Sequence, residues 1–519
     1  MTIRSGSQRT IVFIFFVLFL GVGLFIVKDY GISMDEGASR DHGIATVNYI
    51  FKHAPKFFHC PEADHGPFFE IILVFLEKGL HLTHDLRAVY LMRHLATFLL
   101  FYLGVIFFYK LCNKIFSRWY ISLLGCLFLV LSPRIFADAF YNSKDIPCLS
   151  FFILCAYTLI NYLENKTLFQ AFTHAFLCAA LIDTRIMGII VPFLTFLLAG
   201  ADIYGMCAKG ANFKRPLFSL FLYCFFLVVF TILFWPNLWP SPLNNFIDFL
   251  SAGAPHWKWT VLYLGQFVKA TCLPWHYIPV WIAISTPLLY VVFFCVGYGK
   301  TVISVGRNPA RFYFNHKGEL ISLLLISLPI LADILFKPCV LDAWRHFFFI
   351  YPFFLVFVMG GLRSIFGFFR DKRGAIYFQA FFICCIFFNL GGVFLFMVRN
   401  HPYQNVYFNS LAGRNMKEIK TRFEMDYWGL SYTKALEYIV RNDSDRHITY
   451  YLDRNYIFHP KETEMLNPQD TERLVEVYRI KDAKYFLSDY RWHPQDYNYK
   501  NEFYSVKVDG AAIVVVYRL

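Results

Sequence analysis

"IVFIFFVLFLGVGLFIV", residues 11–27, is an unbroken apolar run, and "KDYGISMDEGASRDHG", residues 28–43, follows it at once. The run approaches the about 20 residues a helix needs to cross roughly 30 Å of hydrocarbon. Arg4 and Arg9 precede it and no small-residue cleavage site follows, so it reads as a retained signal-anchor that starts on the cytoplasmic side. The acidic pair Asp35-Glu36 then stands just beyond the first span. Carboxylates beside lipid are costly unless they are wetted, paired or used.

Outward from that stretch the pattern repeats. Of 519 residues, 57% are hydrophobic and 20% aromatic, which excludes a soluble globular domain. Eleven spans are expected, at about 11–28, 88–109, 120–136, 146–163, 168–182, 186–206, 217–235, 278–297, 319–336, 346–362 and 375–397. The two short runs on either side of Asp183 also admit a single re-entrant unit. The predicted fold class is a polytopic α-helical membrane protein with about 11 transmembrane helices, a large first outer loop and a small C-terminal α/β extracytoplasmic domain. Its parts are a membrane domain over 1–397, with outer loops at 29–87 and 236–277, and the outer domain over 398–519.

The formal charge of +13 sits mostly in short loops holding Lys110, Lys114 and Arg118, Lys166, Lys209 and Lys214, Arg307 and Lys317, and Arg370. These loops carry few acids, so the charge belongs to membrane topology rather than to a nucleic-acid partner. They all fall on one side when the N-terminus is cytoplasmic. The loops opposite are longer and more acidic. Loop 29–87 has an amphipathic stretch at Phe68–Leu80 expected in the interface, and loop 236–277 is rich in Trp and Pro. In the last segment, Tyr432–Val440 reads as a helix and "HITYYL", "YSVKV" and "AIVVVYRL" as strands. The 13 cysteines are scattered, mostly through apolar runs, with no zinc-like pair spacing.

Ionisable residues within or beside the spans gather near the outer boundary. Arg93-His94, Lys144-Asp145, Asp183 and Arg185, Asp333, and Arg345-His346 all lie there. Their shared depth predicts a cavity in which Arg93, Lys144, Arg185 and Arg345 meet Asp35, Glu36, Asp145 and Asp183. Such a mixture suits a lipid phosphate, since guanidinium and ammonium groups neutralise it while a carboxylate serves as general base. Blander readings stand beside this one. Ser33 and Asp35 are plausible helix caps, Lys144-Asp145 a local ion pair, Asp183-Arg185 a turn pair, and Arg93 and Arg345 can snorkel to headgroups. The run His59–His65 has metal-ligand types at no familiar spacing. "DYWGLSY", 426–432, reads as part of the outer domain's fold or as an acceptor contact.

Eight segments in order, "MDEGASRDHG", "DHGPFFE", "LMRHLATFLLFYLGV", "LSPRIFADAFYNSKDIP", "DTRIMG", "WPNLWPSP", "LPWHYIPVWIAISTP" and "RHFFFIYP", resemble the C-type membrane glycosyltransferases. The likeness is to the bacterial branch of the dolichyl-phosphate-mannose protein mannosyltransferase superfamily, which includes the lipid A aminoarabinose transferases. It implies inverting transfer of a sugar from a polyprenyl-phosphate donor to an extracytoplasmic acceptor (a protein hydroxyl, lipid A or another glycolipid) at a bacterial inner membrane. Asp35 would be the catalytic base with Glu36 beside it. Arg93, Lys144, Asp145, Arg185, Arg345 and His346 would bind donor phosphate or acceptor. No cofactor is implied with certainty; a divalent metal, if used, would fall to Asp35 and Asp145. His65-Gly66-Pro67 stands where the family often has Lys-Pro-Pro, and no loop is long enough for the β-trefoil of eukaryotic relatives. The rival function is a transporter or flippase of lipid-linked sugars, which would be expected to place charges at the midplane of repeated, broken helices.

Overall fold

The structure, a computed structural model, describes residues 5–54, 65–251, 259–370, 374–453 and 462–519. Nine of the helices among these are long and apolar enough to cross a membrane, and the bent pair Trp119–Val130 and Pro133–Tyr141, angled at 69°, makes a tenth. The expected eleventh, over 168–182, is the helix Leu168–Thr184, whose 17 residues fall short of that length. Two other expectations are redrawn by proline. The span placed at 278–297 is divided into Tyr277–Ser285 and Leu288–Arg307, and the span placed at 120–136 bends at Ser132-Pro133. A residue before proline is driven to extended backbone, and proline has no N–H to continue a helix. Thr286 (φ −104°, ψ 142°) and Ser132 (φ −101°, ψ 100°) both show it. The amide of Asn409 covers carbonyls exposed at the first break, donating to Ala283 O and Thr286 O at 2.6 Å each.

Burial sorts the spans into a centre and a rim. The most apolar stretches of Asp145–Asn165 and Arg345–Phe369 are 83% and 78% buried, against 11% for Gly6–Asp29 and for Ala375–Arg399. The two central helices pack through aromatic rings, with Phe152 4.7 Å from Phe349 and 5.5 Å from Phe353. Both begin at the same end of the bundle, and both begin on a charged residue.

The described part of loop 29–87 is largely helical. Met34–Lys52 starts at Ser33, whose backbone N–H donates to Glu36 Oε2 at 2.6 Å in a reciprocal cap. Phe68–Gly79 buries Phe69, Glu70, Leu73, Val74 and Glu77 and leaves Ile72, Phe75 and Leu76 exposed, the two-faced pattern expected of it. Arg40 joins the two helices by donating to Glu77 at 3.0 and 2.5 Å. At the opposite end of the bundle, Asp202 collects Lys166 (2.8 Å), Lys317 (3.1 Å) and the Tyr313 hydroxyl (2.5 Å).

The C-terminal segment forms a five-stranded sheet in the order 474–476, 448–452, 485–488, 511–518, 502–508. The first three strands are parallel and the last two make an antiparallel hairpin. Its turn is Asp509-Gly510, both at positive φ (43° and 83°), as a twisted two-residue turn demands. Helix Ser431–Asn442 sits against this sheet, and Met416, Ile419, Phe423 and Tyr432 continue the apolar core of the spans without a break.

Candidate functional site at the charged helix ends

Asp145 opens the first turn of its central helix. It accepts hydrogen bonds from Arg185 Nη2 (2.5 Å), Arg345 Nη1 (3.1 Å) and Asn142 Nδ2 (3.1 Å). Arg345, at the start of the other central helix, turns its second arm to Asp342, with Nε at 3.1 Å and Nη2 at 2.9 Å. That same Nη2 lies 3.5 Å from Asp35 Oδ2, and Lys144 Nζ lies 3.8 Å from the same oxygen. Asp35, Lys144, Asp145, Arg185 and Arg345 therefore meet in one cluster, five of the eight residues expected to share a cavity; Asp183 stands apart from it, on the Phe68 N–H. Fractional exposure divides them: the side chains of Asp145 and Arg345 are 2% and 7% exposed, that of Asp35 is 21% and those of Lys144 and Arg185 are 14%. The buried members fix the geometry, while Asp35, Lys144 and Arg185 are partly exposed.

Glu36, Arg93 and His346 take different places. Glu36 is buried, its Oε1 2.8 Å from His94 Nε2 and its Oε2 on the Ser33 N–H. Arg93 is buried in an ion pair with Glu70, whose other oxygen accepts from Ser143 Oγ at 2.6 Å. These two pairings tie loop 29–87 and the second span behind the cluster. His346 is half-buried within electrostatic reach of Asp145, Arg185 and His65. His59–Asp64 of the metal-type run lie outside the described residues.

Three contributors had a weak sequence signal or none. Asp342 accepts from Arg345, from Trp428 Nε1 (3.1 Å) and from Arg491. Burial pushes its carboxyl up, but Arg491 and Arg345 outweigh that and hold it below its ordinary value. Asp342 and Ala343 are consecutive non-glycine residues at positive φ (58° and 61°), strained backbone that these ion pairs hold in place. Trp428 stacks under Arg345, its ring centre 4.6 Å from the guanidinium carbon, and its carbonyl accepts from the Met34 N–H at 3.2 Å. "DYWGLSY" thus closes the site from the C-terminal body. The spacing of Asp342 three residues before Arg345 was a readable hint; Arg491, 149 residues from Asp342, had none.

His65-Gly66-Pro67 abuts "DTRIMG". The Phe68 N–H donates to Asp183 Oδ1 at 2.6 Å, and a Cβ on Gly66 would lie 2.1 Å from Asp183 O. No three His, Cys, Asp or Glu side chains gather as a metal site among the described residues. The two carboxylates with a metal role implied, Asp35 and Asp145, flank Arg345, so a cation between them would share its ligands with that guanidinium.

Fold and site define a polytopic helical membrane protein with an acid–base cluster where its two central helices begin, closed by a C-terminal α/β body. The chain is similar along nearly its whole length to two solved structures. ArnT from Cupriavidus metallidurans bound to undecaprenyl phosphate shares 12% identity over 98% of each chain, with a TM-score of 0.49. The same protein in its apo state shares 14% identity over 96% of this chain and 97% of that one, also with a TM-score of 0.49. ArnT is a lipid A aminoarabinose transferase, one of the groups that the eight sequence segments resemble. No protein-family model and no curated protein matches the chain.

Proposed function

We propose that this protein transfers a sugar from a polyprenyl-phosphate donor to a hydroxyl or amine acceptor on the outer side of a bacterial inner membrane. The observation that carries the proposal is the meeting of one partly exposed carboxylate, Asp35, with Lys144, Arg185 and Arg345 at a single end of the bundle. The cations receive the donor phosphate, with the guanidinium of Arg185 at the rim and Arg345 behind it. The acceptor attacks the anomeric carbon, Asp35 takes its proton, and the carbon–oxygen bond to phosphate breaks. Polyprenyl phosphate leaves as an anion stabilised by the same three cations, and the anomeric centre inverts. Glu36 and Arg93 act by holding the loop that carries Asp35. Basic loops at the far end of the bundle favour a cytoplasmic location for that end, and so an outer location for the site.

The test is transfer by the purified full-length protein of label from a panel of polyprenyl-phosphate sugars to acceptors in membrane extracts. Wild type should move label and release polyprenyl phosphate, and Asp35→Asn should lower the rate by about 10²–10⁴ while melting as wild type does. Equal transfer by a folded Asp35→Asn protein refutes the role of Asp35. Passage of an intact labelled donor across vesicles, with no transfer, favours the flippase reading.

A further inference from the structure

Far from this site, at the basic end of the bundle, spans Leu288–Arg307 and Arg345–Phe369 touch backbone to backbone. A Cβ on Gly297 would lie 2.0 Å from Phe357 O, and one on Gly361 would lie 2.0 Å from Phe293 O. Glycine at both positions permits that approach. Beyond it, residues of these two helices and the helix ends holding Phe116, Phe312 and Glu319 line an open cleft of about 870 Å³. This is within the range of ligand-sized cavities, about 300–1,000 Å³.

The walls are of two kinds. Phe116, Phe312 and Ile365 make an apolar interior, while Lys300, Arg363 and Ser304 bring cations and a hydroxyl to the same space. Lys300 Nζ donates to Ser364 Oγ at 3.0 Å, which holds the ammonium between the two helices. Arg363 is exposed and pairs with no carboxylate among the described residues. The one acid in the lining, Glu319, lies 2.8 Å from His316 Nδ1 and is engaged there. Arg307, Arg311, Lys317 and Arg370 belong to the same basic loops.

We infer that this cleft binds the phosphate headgroup of an anionic phospholipid from the leaflet at the basic end, with Lys300 and Arg363 on the phosphate. Charge and position select that occupant. Two cations between membrane-spanning helices attract an anionic headgroup at the membrane surface, and the phenylalanines of the same lining offer apolar contact to an acyl chain. Inorganic phosphate would leave those rings unused, and a zwitterionic lipid would leave the cations half-compensated. The inference stands apart from the function proposed above, since none of these residues touches the Asp35 cluster.

Purified full-length protein, delipidated in neutral detergent, is titrated with phosphatidylglycerol or phosphatidylcholine, and bound lipid is counted by native mass spectrometry. Phosphatidylglycerol should bind at least about tenfold more tightly than phosphatidylcholine, and the double variant Lys300→Gln/Arg363→Gln should lose roughly thirtyfold of that affinity. Ser304→Phe keeps both cations but fills the cleft, and it should weaken phosphatidylglycerol binding as well. Unchanged binding in either variant, or equal binding of the two lipids, overturns the inference. So does displacement of bound phosphatidylglycerol by inorganic phosphate or by polyprenyl phosphate, which would assign the cleft to those ligands.

Discussion

Arg345 is the residue on which the site turns, because it touches Asp35, Asp145 and Asp342 together. Only a planar fork with several donors makes these contacts together; lysine has a single point charge to offer. Arg345→Lys should therefore lower kcat/KM by about 10–100-fold, the loss expected for charge-assisted hydrogen bonds, and leave the helix in place. An unchanged kcat/KM would show that the fork does not organise the site. Most of this cluster was legible because charged residues at span ends are few and each has a cost to justify. Arg93 shows the limit of that reasoning. Depth in the membrane is visible in a sequence, but a partner such as Glu70, on a different helix, is not. Arg491 was hidden for the same reason, since its pairing with Asp342 depends on where the C-terminal body docks.

Among the elements, hydropathy located each expected apolar run but not its breaks. Apolar periodicity runs through Ser132-Pro133 and Thr286-Pro287 without interruption, and only backbone geometry reveals the bends. The crossing at Gly297 and Gly361 was equally silent, as neither glycine has a second glycine four residues away. Here backbone contact leaves no room for a side chain. Gly297→Val should overpack the crossing at a cost of about 1–3 kcal/mol and lower the melting temperature in detergent. Gly360→Val, where a Cβ meets nothing within 4 Å, is the matched control and should melt as wild type does. If both variants melt alike, the two helices are not in the register described.

Across the whole molecule, the C-terminal body is bound to the bundle by the charges that build the site. Arg491 donates to Tyr427 O (2.5 Å) and to Asp342, and near it lie the buried carboxyls of Glu424 and Asp489. Burial, opposed by Arg491, pushes Glu424 up to about 7 from 4.5, and burial likewise pushes Asp489 up to about 7 from 3.8. Groups raised in the folded state hold protons that the unfolded chain has released. Their stabilisation is thus complete below the ordinary carboxyl value and is lost as pH rises through about 7. Asp342, held low by its arginines, works oppositely: its contribution is present above 3.8 and lost below it. Melting temperature should accordingly decline from mildly acidic to mildly alkaline pH, and Glu424→Gln should flatten the decline. A slope of the other sign, or one untouched by Glu424→Gln, contradicts this reading of the junction.

That distant polar groups form one phosphate-binding pocket is tested most directly by measuring undecaprenyl phosphate binding to the purified protein and to Lys144→Gln/Arg185→Gln. These cations are the partly exposed ones, so the variant should fold normally yet bind at least about tenfold more weakly. Equal affinity for the lipid phosphate in the two proteins would remove the basis for reading this cluster as the donor site.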